Sequence, residues 1–243
     1  MLKKIRLEEL VRKQTLFKLK ALSSAVLVLI IVQTVFLVIS VLASSGGSMG
    51  SNYYEIDIQH VSGDIVIGFT MIWAFIVGAL ITSKAYRYDD FSFVTSRLSA
   101  HLANIGYMVI VSSLGGLTAF LSGFTIKLFT FFVYEGEILK LSDTSAAVMF
   151  SGLVATILYM VLFMTLGYVC GMLVQMYEPL KIIIPALVFG AIIFLSEFGV
   201  LLLLVEQFLQ EPSILLFALK VIGTCGVLLV IIIWSTDKLE VRV

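Results

Sequence analysis

Long apolar runs separated by short polar segments make up most of this chain. The runs do not alternate between apolar and polar positions, as the strands of a membrane barrel do, and each has about the 20 residues that a spanning helix needs. Helices satisfy their own backbone hydrogen bonds in lipid, where water cannot. The pattern predicts six membrane-spanning helices, at about residues 21–43, 65–83, 102–123, 146–174, 182–205 and 213–234.

The pattern leaves the end of the third predicted span open. Residues 124–134, FTIKLFTFFVY, stay apolar and aromatic beyond it, with Lys127 as their one charge. Two interpretations fit: the segment prolongs the helix, or it lies flat in the membrane interface, where aromatic rings are favoured.

Composition agrees with a membrane protein. Of the 243 residues, 60% are hydrophobic and 13% charged, and the mean hydropathy is +1.10. A soluble domain of this length has too little interior for so much apolar surface, so the bilayer must act as solvent. The expected fold is all-α and polytopic, with a basic amphipathic interfacial helix over residues 1–20 and one six-helix transmembrane domain over residues 21–243.

Lysine and arginine are distributed unequally between the two sides of this topology. One side holds the N-terminal segment, the loops after spans two and four, and the C-terminal residues, and its basic residues are Lys3, Lys4, Arg6, Arg12, Lys13, Lys18, Lys20, Lys84, Arg87, Arg97, Lys181, Lys238 and Arg242. The other side has only Lys127, Lys140 and Lys220. The positive-inside rule therefore predicts that both termini are cytoplasmic.

The segment before the first span, LKKIRLEELVRKQTLFKLK, is basic with apolar residues spread through it. As a helix it would turn apolar residues toward acyl chains and lysines toward anionic headgroups. It is either the positively charged anchor of span one or an interfacial elbow helix packed beside the transmembrane core.

A compact polar stretch follows the second span. Residues 83–101, SKAYRYDDFSFVTSRLSAH, interleave charges with aromatic rings. In a short helix Phe91, Val94 and Leu98 would share one face, and an aromatic ridge flanked by charges suits a groove on a partner protein. The alternative is an amphipathic hairpin on the headgroups. The candidate docking residues of this cytoplasmic loop, residues 84–101, are Arg87, Asp89, Asp90, Phe91, Phe93 and Arg97.

Ionisable residues are scarce inside the predicted spans. Glu197, in span five, is the clear candidate for a polar group on a transport path, although an interfacial role is the alternative. His101, at the start of span three, is interpreted as an interfacial histidine. Scarcity of charge disfavours an ion-coupled carrier, because such carriers use intramembrane acids.

Gly167 and Gly171 form a G-x-x-x-G pattern in span four, which allows close helix contact. That contact is either packing within the chain or dimerisation. Cys170 and Cys225 are isolated, and no Cys/His spacing suggests a metal site. The sequence lacks a P-loop, an H-E-x-x-H motif and a G-x-S-x-G motif, so we expect no enzyme activity and no cofactor in this chain.

A basic amphipathic segment, six spans, internal termini and a short, helix-prone first cytoplasmic loop together resemble the membrane subunit of a type-2 ABC exporter. The closest similarity is to the small bacterial permeases that export peptides or confer immunity to them. The resemblance extends over the whole chain but lies in topology, without a sharp sequence motif.

The resemblance implies a dimer of six-span units, homomeric or heteromeric, in a bacterial plasma membrane. ATP and Mg²⁺ would be bound by a separate cytoplasmic ATPase, without any contact to nucleic acid. Residues 3–19 would be the elbow helix, and residues 84–97 the coupling helix that docks in the ATPase. Spans two and five, with Glu197, would line a path for a hydrophobic or amphipathic substrate, possible peptides included. The leading alternative is a non-transporting membrane scaffold that recruits a cytoplasmic partner through the same loop.

Overall fold

The computed structural model describes residues 7–42, 45–51, 54–60, 63–83, 86, 97–133, 145–177, 179–183, 185, 186, 190 and 213–238. In chain order the elements are α1 (Leu7–Ala21), α2 (Ser23–Leu42), β1 (Ser45–Ser51), β2 (Tyr54–His60), α3 (Asp64–Ile81), α4 (Arg97–Val133), α5 (Ala146–Met176) and α6 (Ile214–Lys238).

Five of these helices are long and apolar enough to cross a membrane: α2, α3, α4, α5 and α6. They coincide with the predicted spans one, two, three, four and six, so the prediction of a helical membrane protein is confirmed. The predicted fifth span, residues 182–205, lies largely outside the described residues. The count of six spans therefore stays a prediction.

The helix α4 resolves the question left open at the end of span three. It continues without a break to Val133, over 37 residues. At 1.5 Å per residue it is about 55 Å long, well beyond the roughly 30 Å of a hydrocarbon core. Residues 124–133 prolong the helix, which extends past the apolar part of the bilayer.

The hairpin between α2 and α3 was not predicted. β1 and β2 pair antiparallel, from Ser45 opposite His60 to Ser51 opposite Tyr54. The first strand, SGGSMGS, is composed of residues that are rare in strands, which is why the sequence pattern did not indicate it. The hairpin lies within the loop predicted between the first two spans.

The helix α3 is central in the described bundle. It packs against α2, α4 and α5, and 39% of its apolar window is buried, compared with 11% of the window in α2. Around it lies a cluster of large buried side chains that includes Trp73, Tyr107, Met160, Met164 and Tyr168. A shell of exposed apolar residues covers the outer helices, as expected for surfaces that face lipid.

The backbones of α3 and α5 touch, because glycines occupy the contact. A Cβ atom added at Gly78 would collide with the carbonyl of Met164, and one at Gly167 with the carbonyl of Phe75. A Cβ at Gly171 would lie 2.9 Å from the Ala79 carbonyl oxygen. The G-x-x-x-G face of α5 is thus occupied by α3 of the same chain.

Contacts along the helices also define their directions. Asn104, Ser112 and Gly116 of α4 lie beside successively earlier residues of α5, so these two helices are antiparallel. The ring centroids of Tyr159 and Phe217 are 4.8 Å apart. Farther along both chains, the side chains of Thr165 and Cys225 meet.

Residue numbers therefore increase in the same direction along α5 and α6, and the two helices are parallel. We call the end of the bundle where α3, α5 and α6 finish, and where α4 begins, the α1 end, because α1 packs there against α4.

A buried amide joins α2 to this core. Nε2 of Gln33 lies 3.0 Å from Oγ1 of Thr118 and 3.4 Å from both Oγ1 of Thr70 and the carbonyl oxygen of Gly115. Interhelical hydrogen bonds in membranes are each worth about 0.6–2 kcal/mol. Gln33 thus fixes the register of the least buried span against α3 and α4.

The glycine contact makes a testable prediction. Gly78→Ala must force α3 and α5 apart, because the new methyl group meets backbone atoms that cannot rotate away; we expect a loss of about 1–3 kcal/mol, as for overpacked cores. Gly68→Ala, on the same helix but with no heavy atom within 4 Å of its Cβ position, is the matched control. Thermal unfolding in mild detergent measures both, and equal stability of the two variants would contradict the packing described.

Candidate functional site at the α1 end

The helix α1 is favoured locally by the placement of its charges. Glu8 and Glu9 lie in the first turn, and Lys18 and Lys20 in the last, where each sign interacts favourably with the helix dipole. Lys13 donates a 2.8 Å hydrogen bond to Oε1 of Glu9 and thereby lowers the pKa of that carboxyl group. Because this pair is exposed to solvent, it contributes little to stability.

The buried face of α1 is polar. Gln14, Thr15 and Lys18 are buried, while Leu16 and Phe17 are exposed on the outside. The sequence analysis expected apolar residues toward acyl chains, which agrees with this exposure. It placed the lysines among headgroups, however, and Lys18 instead points into the protein.

Thr15 sits at the closest approach of α1 to α4. Its Oγ1 atom donates to the carbonyl oxygen of Val11 at 2.9 Å and lies 3.4 Å from the carbonyl oxygen of Ala103. A Cβ atom at Gly106 would lie only 3.0 Å from the same Oγ1. Gly106 therefore leaves the space that the threonine side chain occupies.

A chain of polar contacts connects three helices at this point. Nζ of Lys18 donates to Oδ1 of Asn104, and Nδ2 of Asn104 lies 3.3 Å from the hydroxyl of Tyr168. That hydroxyl is 2.6 Å from Nδ1 of His101. We call these four side chains the polar chain; each is less than 9% exposed. It links α1 to α4 and α5.

Burial makes this arrangement energetically demanding. An ammonium group removed from water must be hydrogen-bonded, since an uncompensated buried charge costs several kcal/mol. Asn104 supplies an oxygen acceptor to Lys18. Close by in the sequence, Gln14 is 1% exposed, and both atoms of its amide lack a hydrogen-bond partner among the described residues. Such groups are retained where they specify a structure or serve a function.

The predicted docking loop begins and ends beside the polar chain. The helix α3 closes at the α1 end, with the backbone N–H of Thr82 donating to the carbonyl of Ala79, and α4 starts there at Arg97. Between them, Tyr86 is half-buried against the core cluster and lies close enough to Tyr107 to interact electrostatically. Both flanks of the loop are thus anchored in the bundle.

The structure places the predicted site residues as follows. Arg97 is the first residue of α4, and Gly167 and Gly171 lie at the contact with α3. The remaining candidates lie outside the described residues: Arg87, Asp89, Asp90, Phe91, Phe93 and Glu197. His101, interpreted from sequence as interfacial, is buried and bonded to Tyr168.

Sequence reasoning missed Asn104, Tyr168 and Gln33. A signal for Asn104 was present, because it stands three residues after His101 and shares its helix face. Gln33 was equally visible as the only amide within the first predicted span. Tyr168 had no such signal, since one tyrosine in an apolar helix is ordinary.

The chemistry available at this site is binding and positioning. Across the described part of the chain, no three His, Cys, Asp or Glu side chains come together to hold a metal ion. Compared with known proteins, the chain matches no family model, no curated protein and no solved structure. A functional proposal therefore depends on topology and on the α1 end.

Loss of the central amide tests the polar chain. Asn104→Leu keeps the volume but removes the acceptor for Lys18 and the donor to Tyr168; with one bond to a charged group, we expect a loss of about 2–4 kcal/mol. Ser113→Ala, on the same helix, removes only a 2.7 Å bond to the carbonyl of Val109 and serves as the control. Denaturant unfolding in detergent compares them, and an unchanged Asn104→Leu protein would show that the polar chain does not stabilise the bundle.

Proposed function

We propose that this chain is the membrane subunit of an ATP-driven ABC exporter of the small bacterial peptide-export type. In this proposal it has six spans, both termini are cytoplasmic, and it pairs with a second six-span permease in a plasma membrane. A separate cytoplasmic subunit binds ATP and Mg²⁺ and hydrolyses the nucleotide. The substrate is hydrophobic or amphipathic, and it leaves through a path lined in part by Glu197.

The observation that supports this proposal best is the grouping of elements at the α1 end. The basic helix α1 packs on the start of α4. The ends of α3 and α4 that flank the docking loop lie at the same end of the bundle, with Tyr86 packed against the core. A partner bound to this loop would therefore contact a segment held at both ends by transmembrane helices.

This arrangement is suited to transmitting force from an ATPase. Phe91 or Phe93 would be the buried anchor in the partner, and the charges of Arg87, Asp89 and Asp90, together with Arg97, would fix the register. Movement of the loop would act directly on α3. Because glycines bring α3 into backbone contact with α5, the two helices would move as one unit and change access to the path.

The parallel direction of α5 and α6 supports the proposed count of six spans. Both helices finish at the α1 end, so the connection from Tyr177 to Ser213 must return to the opposite end. One further crossing by the predicted fifth span, residues 182–205, meets this requirement. With six crossings, the N- and C-terminal residues lie on the same side of the membrane.

Orientation can be tested by labelling. In a protein with Cys170 and Cys225 replaced by alanine, Lys13→Cys reports the α1 end and Ser145→Cys reports the opposite end; both positions are exposed. Treating intact cells with a membrane-impermeant maleimide should label the cysteine at 145 only, and permeabilised cells should show both labelled. Labelling of the cysteine at 13 in intact cells would reverse the proposed orientation.

Association with an ATPase tests the function directly. The tagged protein is extracted in mild detergent, and whatever co-purifies is identified by mass spectrometry. We expect a stoichiometric P-loop ATPase, lost when Phe91→Ala and Arg97→Ala are combined, because together they remove the proposed anchor and one register charge.

The matched control combines Phe129→Ala with Lys127→Ala, which alters an exposed aromatic and basic pair toward the other end of α4. This variant should retain the ATPase. Phe91→Ala in the purified complex should also abolish substrate-stimulated ATP hydrolysis. Recovery of the protein with a partner that is not an ATPase would favour the scaffold, and recovery of a bare monomer would count against both.

A further inference from the structure

We infer that the polar chain is a directional hydrogen-bond relay that holds α1 in place only while His101 is neutral, so that protonation of His101 releases α1 from α4. This inference concerns the packing of α1 and does not depend on the proposed function. It uses contacts among Lys18, Asn104, Tyr168 and His101 that the structure describes.

The direction of the relay is set at its Lys18 end. An ammonium group has three donors and no acceptor, so the atom of Asn104 that faces Lys18 must be the carbonyl oxygen, Oδ1. The amide nitrogen of Asn104 then faces Tyr168, and because it too can only donate, the hydroxyl oxygen of Tyr168 accepts this bond.

The Tyr168 hydroxyl passes the direction on to His101. With its oxygen accepting from Asn104, its own proton is available for the 2.6 Å contact with Nδ1 of His101. Nδ1 accepts that proton only in the neutral imidazole that carries hydrogen on Nε2. The relay therefore runs from Lys18 through Asn104 and Tyr168 to a neutral His101.

Protonation of His101 disrupts this order in two ways. Nδ1 becomes a donor, so two donors compete at the Tyr168 hydroxyl and the last bond must reverse. A second positive charge also enters a buried chain that already carries Lys18. Charges of like sign in a desolvated site repel strongly.

The other ionisable groups in this region do not oppose that effect. Among the described residues, Tyr86 and Tyr107 belong to the same region of the bundle, and both are neutral near physiological pH. Histidine is the side chain whose charge ordinarily changes between about pH 5 and pH 8. The relay is thus a pH-sensitive fastening between α1 and the transmembrane core.

Release should loosen α1 while leaving the bundle intact. The contacts of α1 with the rest of the described structure are mainly with α4, and Lys18 and Thr15 supply its hydrogen bonds to that helix. The contacts of α3 with α5 involve glycines and backbone atoms that do not titrate. Acidification should therefore move α1 and not α3, α5 or α6.

Spin-label distance measurements on the full-length protein in lipid nanodiscs test this inference. One label is placed on α1 at Arg12→Cys and the other on α4 at Val109→Cys, both exposed positions, with Cys170 and Cys225 replaced by alanine. We expect one narrow distance distribution at about pH 8 and a second, longer population that increases several-fold at about pH 5.5, across the range in which histidine titrates. A pair at Val109→Cys and Val230→Cys reports the bundle and should not change.

Two variants assign the effect to the relay. His101→Asn puts an uncharged acceptor oxygen close to the position of Nδ1, so α1 should stay docked at both pH values. Tyr168→Phe removes the donor to Nδ1, so the longer population should be present already at about pH 8.

The inference is overturned by any of three results. The first is a wild-type distribution that is the same at both pH values. The second is a pH response that persists in His101→Asn. The third is a matching change in the Val109–Val230 pair, which would mean that acid loosens the whole bundle. None of these readouts requires an ATPase, so failure here is distinguishable from failure of the proposed function.

Discussion

Backbone contact between α3 and α5 is the constraint on which the rest of the described structure depends. In lipid the hydrophobic effect does not drive helices together, so close packing and interhelical hydrogen bonds must do so. Gly78 and Gly167 remove the side chains that would hold these two helices apart. The helices α2 and α4 then pack against α3, and α4 and α6 against α5. A single methyl group at this contact would disturb every neighbour.

Polar side chains inside the bundle follow from the same solvent. A buried amide or ammonium group in a membrane protein must find its partners within the protein. Gln33 does so between α2, α3 and α4, and Lys18 does so through Asn104 at the α1 end. The first fixes the register of a lipid-exposed span. The second attaches an otherwise separate helix through groups whose protonation can change.

Function, in this view, is concentrated where the two kinds of contact meet. The α1 end holds a basic helix, a buried polar chain and both anchored flanks of the polar loop. A cytoplasmic partner acting on that loop would reach α5 through the rigid contact of α3. The polar chain would at the same time tie the position of α1 to the start of α4. The proposed exporter subunit and the pH-sensitive fastening therefore involve adjacent but separable parts of the molecule.

The sequence by itself determined the helical membrane class and the positions of five described spans, because long apolar runs have only one stable arrangement in lipid. It also indicated that Gly167 and Gly171 would lie at a helix contact, but not which helix they would meet. Tertiary structure decided that α3 of the same chain fills that contact, that α4 continues to Val133, and that Lys18 turns inward to reach Asn104 and Tyr168. The physical reason is that periodicity reports the burial of single helices. Partners such as Lys18 and Tyr168, which are 150 residues apart, are chosen only when the helices pack.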